Sequence, residues 1–262
     1  MDQHAKFFLF NLKTAGAVQF TVLVFLCLTA ISIVSAQHVV ASDLTIRRHA
    51  TALLNATVNP SGPGIAVLIA RNEKAIFRAA RGRANIELDV PLTAADTFRI
   101  ASVTKTFTAA LVIKLAEKGE LSLDAPLKKF LSDFPGAENI TIRELLNHTA
   151  GVSDQAPPSA IQPGFSRRDV DITTLIAEIA KRPAAFAPGA SQSYSNAGFI
   201  LLGAVIEKVT GKPWHVALDE LILRPLGLRN TRYGSASVII PGRVAGYTTD
   251  TPGRKIENAP YI

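Results

Sequence analysis

The hydrophobic pattern at residues 98–119 predicts a helix that is buried on all sides. After the tetrapeptide SVTK at positions 102–105, apolar side chains occupy nearly every position from 107 to 113 instead of following one stripe. This pattern is typical of a helix without a solvent-facing side. Gly119 can end the helix, because glycine adopts the left-handed cap conformation without a Cβ clash. Ser102 is therefore expected at or just before the first turn of a buried helix.

The chain before this helix predicts one amphipathic helix and one β-hairpin. Residues 44–58 have the apolar spacing of an amphipathic helix that begins after Asp43, and a Pro/Gly-rich segment ends it. Two short apolar runs follow, at residues 65–70 and 75–80, on either side of the polar turn 71–74. Apolar runs joined by a short polar turn are typical of a β-hairpin.

The chain after Gly119 is predicted to be mainly helical. Thr141 and Glu144 have the spacing of a capping box, in which two side chains satisfy backbone N–H groups at the start of a helix. Apolar spacing predicts further helices at residues 127–131, 172–181, 197–209 and 213–223. Residues 152–168 are rich in Pro, Ser and Gly and predict a long loop, and such loops are often lids or binding loops.

Residues 1–36 have the pattern of a signal peptide. Lys6 and Lys13 give a positive start, an apolar run covers residues 20–34, and small residues favour cleavage before Gln37. We therefore expect a periplasmic or secreted protein with one domain at residues 37–262 and no stable membrane insertion after cleavage. The alternative is an uncleaved anchor in the inner membrane, because the apolar stretch is long enough to span a bilayer. N-terminal sequencing that begins at Gln37 would exclude the anchor.

Composition and charge narrow the classes of chemistry and partner. Cys27 is the only cysteine and lies within the predicted signal peptide, so the domain itself has no disulfide, cysteine nucleophile or thiolate metal site. Export without disulfides suits a bacterial envelope. The net charge is +7 at pH 7, but the basic residues are dispersed along the chain instead of clustered. This distribution argues against a nucleic-acid partner.

Ser102 and Lys105 form the first candidate for chemistry. The two residues are three positions apart, so on a helix they lie on the same face and within reach of each other. A serine hydroxyl needs a neighbouring base to act as a nucleophile, and the lysine could be that base. The alternative is that Ser102 only caps the helix, which is a common role for serine at a helix start.

Tyr194 and Asn196 form the second candidate, immediately before the apolar stretch at residues 197–209. A phenol can relay a proton if a nearby cation such as Lys105 lowers its pKa. An asparagine side chain can donate to a substrate carbonyl and accept from an amide. The alternative is that Ser195 or Asn196 only caps the following helix.

Several longer segments together resemble the serine β-lactamase and penicillin-binding-protein family, in its class C-like branch. The segments are FRIASVTKTFTAALVIKLAEKGELSLDAPLKKFL, IRELLNHTAGV, PGASQSYSNAGFILLGAVIEKVTGKPW and RPLGLRNT. The resemblance implies a mixed α/β (α+β) fold, with an antiparallel sheet flanked by helices and an all-helical lobe formed mostly by residues 121–228. It implies no metal and no organic cofactor.

The resemblance also assigns roles to the candidate residues. Ser102 would be the acylated nucleophile, Lys105 its partner base, Tyr194 the second base, and Asn196 the residue that binds the substrate amide. The acylation base remains open between Lys105 and Tyr194. His148 matches a structural turn of the family, so we expect it to be structural and not part of a Ser–His–Asp triad.

The chain departs from the family pattern in one respect. Family members carry a third motif, K-T-G or H-x-G, on a strand beside the nucleophile, and no such triplet follows Asn196 in this sequence. We therefore expect the C-terminal strands of the fold to be missing. In the family, the strand that carries this third motif supplies one of the two oxyanion-hole donors. Loss of one such donor typically lowers the reaction rate by about 10²–10³-fold.

These observations lead to one functional hypothesis and two alternatives. The hypothesis is an exported serine hydrolase that acts through an acyl-enzyme on a small-molecule or peptide substrate: a β-lactam, a D-Ala-D-Ala peptide or an ester. The first alternative is a truncated protein without catalytic activity. The second is a membrane-anchored binding module.

Overall fold

The computed structural model describes residues 41–154, 170–235, 237–249 and 255–259. The predicted signal peptide and most of the predicted loop at residues 152–168 lie outside the described residues. Among the helices that are described, none combines the length and the apolar character needed to cross a membrane. The chain divides into two compact units, one made of residues up to Thr57 with Val67–Ala79, and the other of Val58–Ala66 with Ala80–Ile262.

The first unit contains a helix and most of a hairpin, as the sequence predicts. These elements are α1 (Asp43–Thr57), β1 (Ile65–Arg71) and β2 (Lys74–Arg81). Asn72 and Glu73 form the hairpin turn with positive φ angles of 48° and 64°, which is the backbone shape that matches the twist of paired strands. An ion pair of 2.8 Å between Arg71 Nη1 and Asp43 Oδ1 joins the end of β1 to the start of α1.

The second unit contains two short antiparallel strand pairs. They are β3 (Arg83–Asn85) with β4 (Val90–Pro91), and β5 (Tyr247–Thr249) with β6 (Ile256–Asn258). The segment before β5 is tied to β3, because the N–H of Ala245 donates to the carbonyl of Ala84 at 2.9 Å. The predicted α/β class is confirmed, and the described antiparallel strands form three two-stranded pairs.

Helices form the core of the second unit. They are α2 (Thr104–Glu117), α3 (Ile142–Leu146), α4 (Ile172–Ala180), α5 (Asn196–Thr210) and α6 (Trp214–Leu218), which continues into a π-helical turn (Asp219–Leu223). Helix α5 lies at the centre and packs against α2, α3, α4 and α6. Leu201, Leu202 and Ile206 of α5 are fully buried in this core. The helix predicted at residues 127–131 is a short 3₁₀ turn (Leu127–Lys129).

Local sequence signals set where these helices begin and end. The capping box is present: Glu144 N–H donates to Thr141 Oγ1 at 3.2 Å, and Thr141 N–H donates to Glu144 Oε2 at 2.8 Å. Gly119 follows α2 with a φ of 73°. In that conformation the N–H groups of Gly119 and Glu120 reach back to carbonyls of the last turn of α2. These bonds satisfy groups that would otherwise lack partners at a helix end.

The prediction that the helix after Ser102 is buried on all sides is wrong for one face. Leu111 and Leu115 are fully buried, but Ile113 is 47% exposed. Helices α5 and α6 and the π-helical turn pack against α2, and they cover the side that carries Leu111 and Leu115. The run of apolar residues identified the helix correctly, but it could not show which side its neighbours would cover.

Candidate active site

Ser102 lies in a 3₁₀ turn (Ala101–Val103) that leads directly into α2. Ala101, the residue before it, has a positive φ of 42°, a conformation that is uncommon for a residue with a Cβ. The cap position of α2 is Val103, and no side chain caps this end of the helix. Ser102 is exposed, and its hydroxyl is not used as a helix cap, contrary to the alternative interpretation of the sequence.

Lys105 joins the two candidate segments. Its Nζ donates to Ser102 Oγ at 3.3 Å and to Asn196 Oδ1 at 2.6 Å. The contact with Ser102 confirms that a spacing of three residues brings the two side chains together. The contact with Asn196 connects the start of α2 to the start of α5, which are 91 residues apart in sequence. The chemistry of the site is thus placed where two packed helices begin.

Tyr194 lies against the same lysine. Lys105 Nζ is 4.6 Å from the centre of the Tyr194 ring, and the Tyr194 side chain is 53% exposed. Hydrogen bonding with Lys105, and then with Ser102, lowers the pKa of the Tyr194 hydroxyl below its ordinary value. This is the direction expected for a phenol that relays a proton at the site. All four predicted site residues are thus brought together, and their catalytic roles stay predictions.

Asp154 is a site residue that sequence reasoning missed. Its carboxylate accepts four hydrogen bonds, from Ser195 Oγ at 3.1 Å, from the N–H groups of Asn196 and Ala197 at 2.7 and 2.8 Å, and from Asn196 Nδ2 at 2.8 Å. Burial alone would raise the pKa of Asp154, but hydrogen bonds from Ala197, Asn196 and Ser195 outweigh it and hold the pKa below its ordinary value. No local motif connects this residue to a helix some 40 positions away, so spacing gave no signal.

The start of α5 is also fixed by two other side chains. Ser195 caps the helix through a hydrogen bond of 2.9 Å from the N–H of Gly198 to Ser195 Oγ, so this part of the capping interpretation is correct. The N–H of Ser195 donates to His148 Nδ1 at 3.2 Å. His148 has a φ of 65° and its ring lies 4.7 Å from the Tyr194 ring. Its Nδ1 is occupied by a backbone N–H, so this nitrogen cannot bind the carboxylate of a triad.

His148 makes the stability of this site dependent on pH. Burial, and then the charge of Lys105, lowers the pKa of His148, with Asp154 opposing in part. The unfolded chain then binds the His148 proton more tightly than the folded chain, so the stabilisation is complete above about pH 6.5 and decreases as pH falls from 6.5 towards the lowered folded pKa. Protonation also removes the Nδ1 acceptor for Ser195.

We therefore expect the free energy of unfolding to decrease between pH 7 and pH 5.5, and to decrease less in a His148→Asn variant. Asparagine suits this control because it tolerates a positive φ and does not titrate. Urea denaturation at the two pH values measures both differences. Equal decreases in the wild type and the variant would contradict this role of His148.

The described part of the chain contains no group of three side chains of His, Cys, Asp or Glu that could hold a metal ion. The chemistry that the described side chains can support is acid–base and nucleophilic. A hydroxyl, an ammonium, a phenol and an amide converge on one exposed position. A hydroxyl with neighbouring proton-transfer groups is the combination that nucleophilic catalysis requires.

Comparison with known proteins gives matches over most of the chain. A model of the family described as Beta-lactamase matches residues 48–261. Esterase EstB of Burkholderia gladioli is 37% identical over 187 residues, which are 66% of this chain and 47% of the esterase. The chain thus spans about half the length of this relative.

Solved structures show the same fold. EstCE1, described as a hydrolase with promiscuous acyltransferase activity, superposes with a TM-score of 0.70 at 26% identity, over 83% of this chain and 60% of that chain. A penicillin-binding protein from Bacillus halodurans superposes with a TM-score of 0.62 at 30% identity, over 75% of this chain and 61% of that chain.

Proposed function

The chain belongs to the beta-lactamase family, a family of serine hydrolases, and on that premise we propose that it hydrolyses carboxylic esters through an acyl-enzyme on Ser102. The observation that carries the proposal is the position of Lys105, whose Nζ contacts both Ser102 Oγ and Asn196 Oδ1. A nucleophile with a base in hydrogen-bond reach, and a third group that orients the base, is the recurring arrangement of covalent catalysis.

The reaction proceeds in two steps. Ser102 Oγ attacks the ester carbonyl carbon, and its proton passes to Lys105 or Tyr194 and then to the departing alcohol. Water then attacks the acyl-enzyme and loses its proton to the same base. The carboxylic acid leaves, and the proton returns to Ser102 Oγ. The three groups that take part, a hydroxyl, an amine and a phenol, lie beside the Asn196 amide at the helix starts described above.

Two considerations favour an ester as the substrate. The relative with 37% identity is an esterase. In addition, an alcohol leaves more readily than an amine, so an ester makes a smaller demand on proton delivery to the leaving group than an amide does. Both considerations point to a carboxylic ester before a peptide.

The second candidate substrate is a β-lactam or a D-Ala-D-Ala peptide. Similarity to a solved penicillin-binding protein supports it, as does the amide of Asn196. One N–H of Asn196 Nδ2 is bound to Asp154, and an asparagine amide has two, so one remains to donate to a substrate carbonyl. The same constellation of Ser102, Lys105 and Tyr194 would form the acyl-enzyme.

A substrate panel tests the proposal. We expect the purified protein to hydrolyse p-nitrophenyl butyrate at least about ten times faster, in kcat/KM, than nitrocefin or a D-alanyl-D-alanine peptide. A factor of ten corresponds to about 1.4 kcal/mol of difference in transition-state binding. Hydrolysis of the β-lactam or the peptide in preference to the ester would favour the second candidate. No turnover of any of the three by folded protein would contradict the proposed function.

A further inference from the structure

The carboxylate of Asp154 is more heavily hydrogen-bonded than a simple helix cap requires. Helix α5 already has a cap in Ser195, whose hydroxyl accepts from Gly198 N–H at 2.9 Å. Asp154 accepts from the two preceding backbone N–H groups, those of Asn196 and Ala197, and also from a side-chain N–H of Asn196. Both the main chain and the side chain of Asn196 are therefore held by a single acceptor.

We propose that Asp154 is a positioning residue that fixes the orientation of the Asn196 amide and, through it, the position of Lys105 beside Ser102. This inference rests on the proposed function. Asn196 Nδ2 donates to Asp154 Oδ2 at 2.8 Å, so Oδ1 faces the other way and accepts from Lys105 Nζ at 2.6 Å. Lys105 Nζ in turn reaches Ser102 Oγ at 3.3 Å. The chain of contacts Asp154–Asn196–Lys105–Ser102 is continuous.

The alternative orientation of the Asn196 amide is unfavourable on both sides. If the amide were rotated by half a turn, its NH₂ group would face the Lys105 ammonium, and its oxygen would face the Asp154 carboxylate. A lysine ammonium only donates and an ionised carboxylate only accepts. Both contacts would then be lost and replaced by repulsion. The carboxylate thus selects the rotamer in which Asn196 can hold the lysine.

Only an acceptor without donors fits this position. The four groups that point at Asp154 are all donors: one hydroxyl, two backbone N–H groups and one side-chain N–H. An asparagine at position 154 would be nearly the same size, but its NH₂ group would face two of these donors, because each carboxylate oxygen accepts two of the four bonds. The two backbone N–H groups also belong to the first turn of α5, where a negative charge is favoured by the helix dipole.

Asp154→Asn tests the proposal, with Asp171→Asn as the matched control. Asp171 caps α4 by accepting from Thr174 N–H at 2.8 Å and Thr174 Oγ1 at 2.6 Å, so the control also neutralises a helix-capping carboxylate. We expect Asp154→Asn to lower kcat on p-nitrophenyl butyrate by about 10–100-fold, by analogy with the loss seen when an outer hydrogen-bond partner of a metal ligand is removed. KM should change little, and Asp171→Asn should retain wild-type kcat.

The pH profile separates positioning from a general loss of structure. Tyr194 and His148 interact electrostatically with Asp154, Lys105 is linked to it through Asn196, and Arg182 Nη1 donates to its backbone carbonyl at 3.3 Å. The charge of Asp154 raises the pKa of Tyr194 and of His148. Removal of this charge should therefore move the ionisation that controls kcat/KM to lower pH. The Asp171 variant should keep the wild-type profile, because its carboxylate binds within its own helix turn.

The possible outcomes are distinct. Wild-type kcat and pH profile in a folded Asp154→Asn variant would overturn the proposal. If circular dichroism shows that this variant does not fold, Asp154→Glu replaces it: the charge is kept but displaced, so kcat should fall while the pH profile stays. Wild-type kcat in that variant would also overturn the proposal.

The rate at which a fluorophosphonate labels Ser102 provides a readout that needs no ester substrate. A wild type that labels but does not hydrolyse esters contradicts the proposed function. The role of Asp154 is then decided by whether Asp154→Asn slows labelling while Asp171→Asn does not.

Discussion

Replacement of Ser102 by alanine is expected to reduce ester turnover by at least about 10³-fold, because the substitution removes the hydroxyl that is proposed to form the acyl-enzyme. The variant should fold as well as the wild type. Ser102 is exposed, and its hydroxyl caps neither the 3₁₀ turn nor α2. Initial rates on p-nitrophenyl butyrate, with circular dichroism for each protein, give the comparison.

Ser132→Ala is the matched control for this prediction. Ser132 is also exposed, and its hydroxyl donates to the neighbouring carboxylate of Asp133 at 3.1 Å. The control should retain the wild-type rate. Turnover within tenfold of the wild type in the Ser102 variant would show that another residue is the nucleophile.

Replacement of Lys105 by methionine is expected to lower kcat by about 10²–10⁴-fold, the range usually contributed by a positioned acid or base. The substitution removes the hydrogen bonds to Ser102 Oγ and Asn196 Oδ1 together with the cation beside Tyr194. Lys114→Met is the control on the same helix. Lys114 is exposed and pairs with Glu117 at 3.2 Å, and such surface pairs contribute little.

Lys105→Arg decides between the two candidate bases. Arginine keeps the positive charge near Tyr194 but cannot release a proton in a protein. If Lys105 is the base, the arginine variant should be as slow as the methionine variant. If Tyr194 is the base and the lysine acts through its charge, the arginine variant should retain much more activity. A methionine variant with wild-type kcat would contradict any role for Lys105.

The parts of the site that could be predicted from residues alone are those within one helix turn. Ser102 and Lys105 are three positions apart, so helix geometry brings them together whatever the rest of the chain does. The capping box at Thr141 and Glu144 and the glycine end of α2 are local in the same way. Each depends on the chemistry of a few neighbouring residues.

The contacts between distant segments could not be obtained in this way. Lys105 and Asn196 were associated through resemblance to a family, since no spacing rule relates residues 91 positions apart. Asp154 was missed altogether, because its donors belong to a helix that follows much later in the chain. Ile113 was predicted to be buried because an apolar pattern shows the tendency to bury a surface, but not which neighbours are present to cover it.

The arrangement of α2 and α5 explains why these residues form one site. Both helices are anchored in the same core through Leu111, Leu115 and Leu201, and they pack against each other. Ser102 precedes the first residue of α2, and Asn196 is the first residue of α5. The positive ends of both helix dipoles therefore lie near Ser102, where they would favour negative charge that develops on a carbonyl oxygen.

Covalent labelling of Ser102 is the most direct measurement. The intact mass of the purified, folded protein is recorded after exposure to a fluorophosphonate, and peptide mapping then locates the modified residue. We expect a single adduct on the peptide that contains Ser102, and none in the Ser102→Ala variant. An adduct that persists in that variant, or no adduct on the folded wild type, would contradict the assignment of Ser102 as the activated nucleophile.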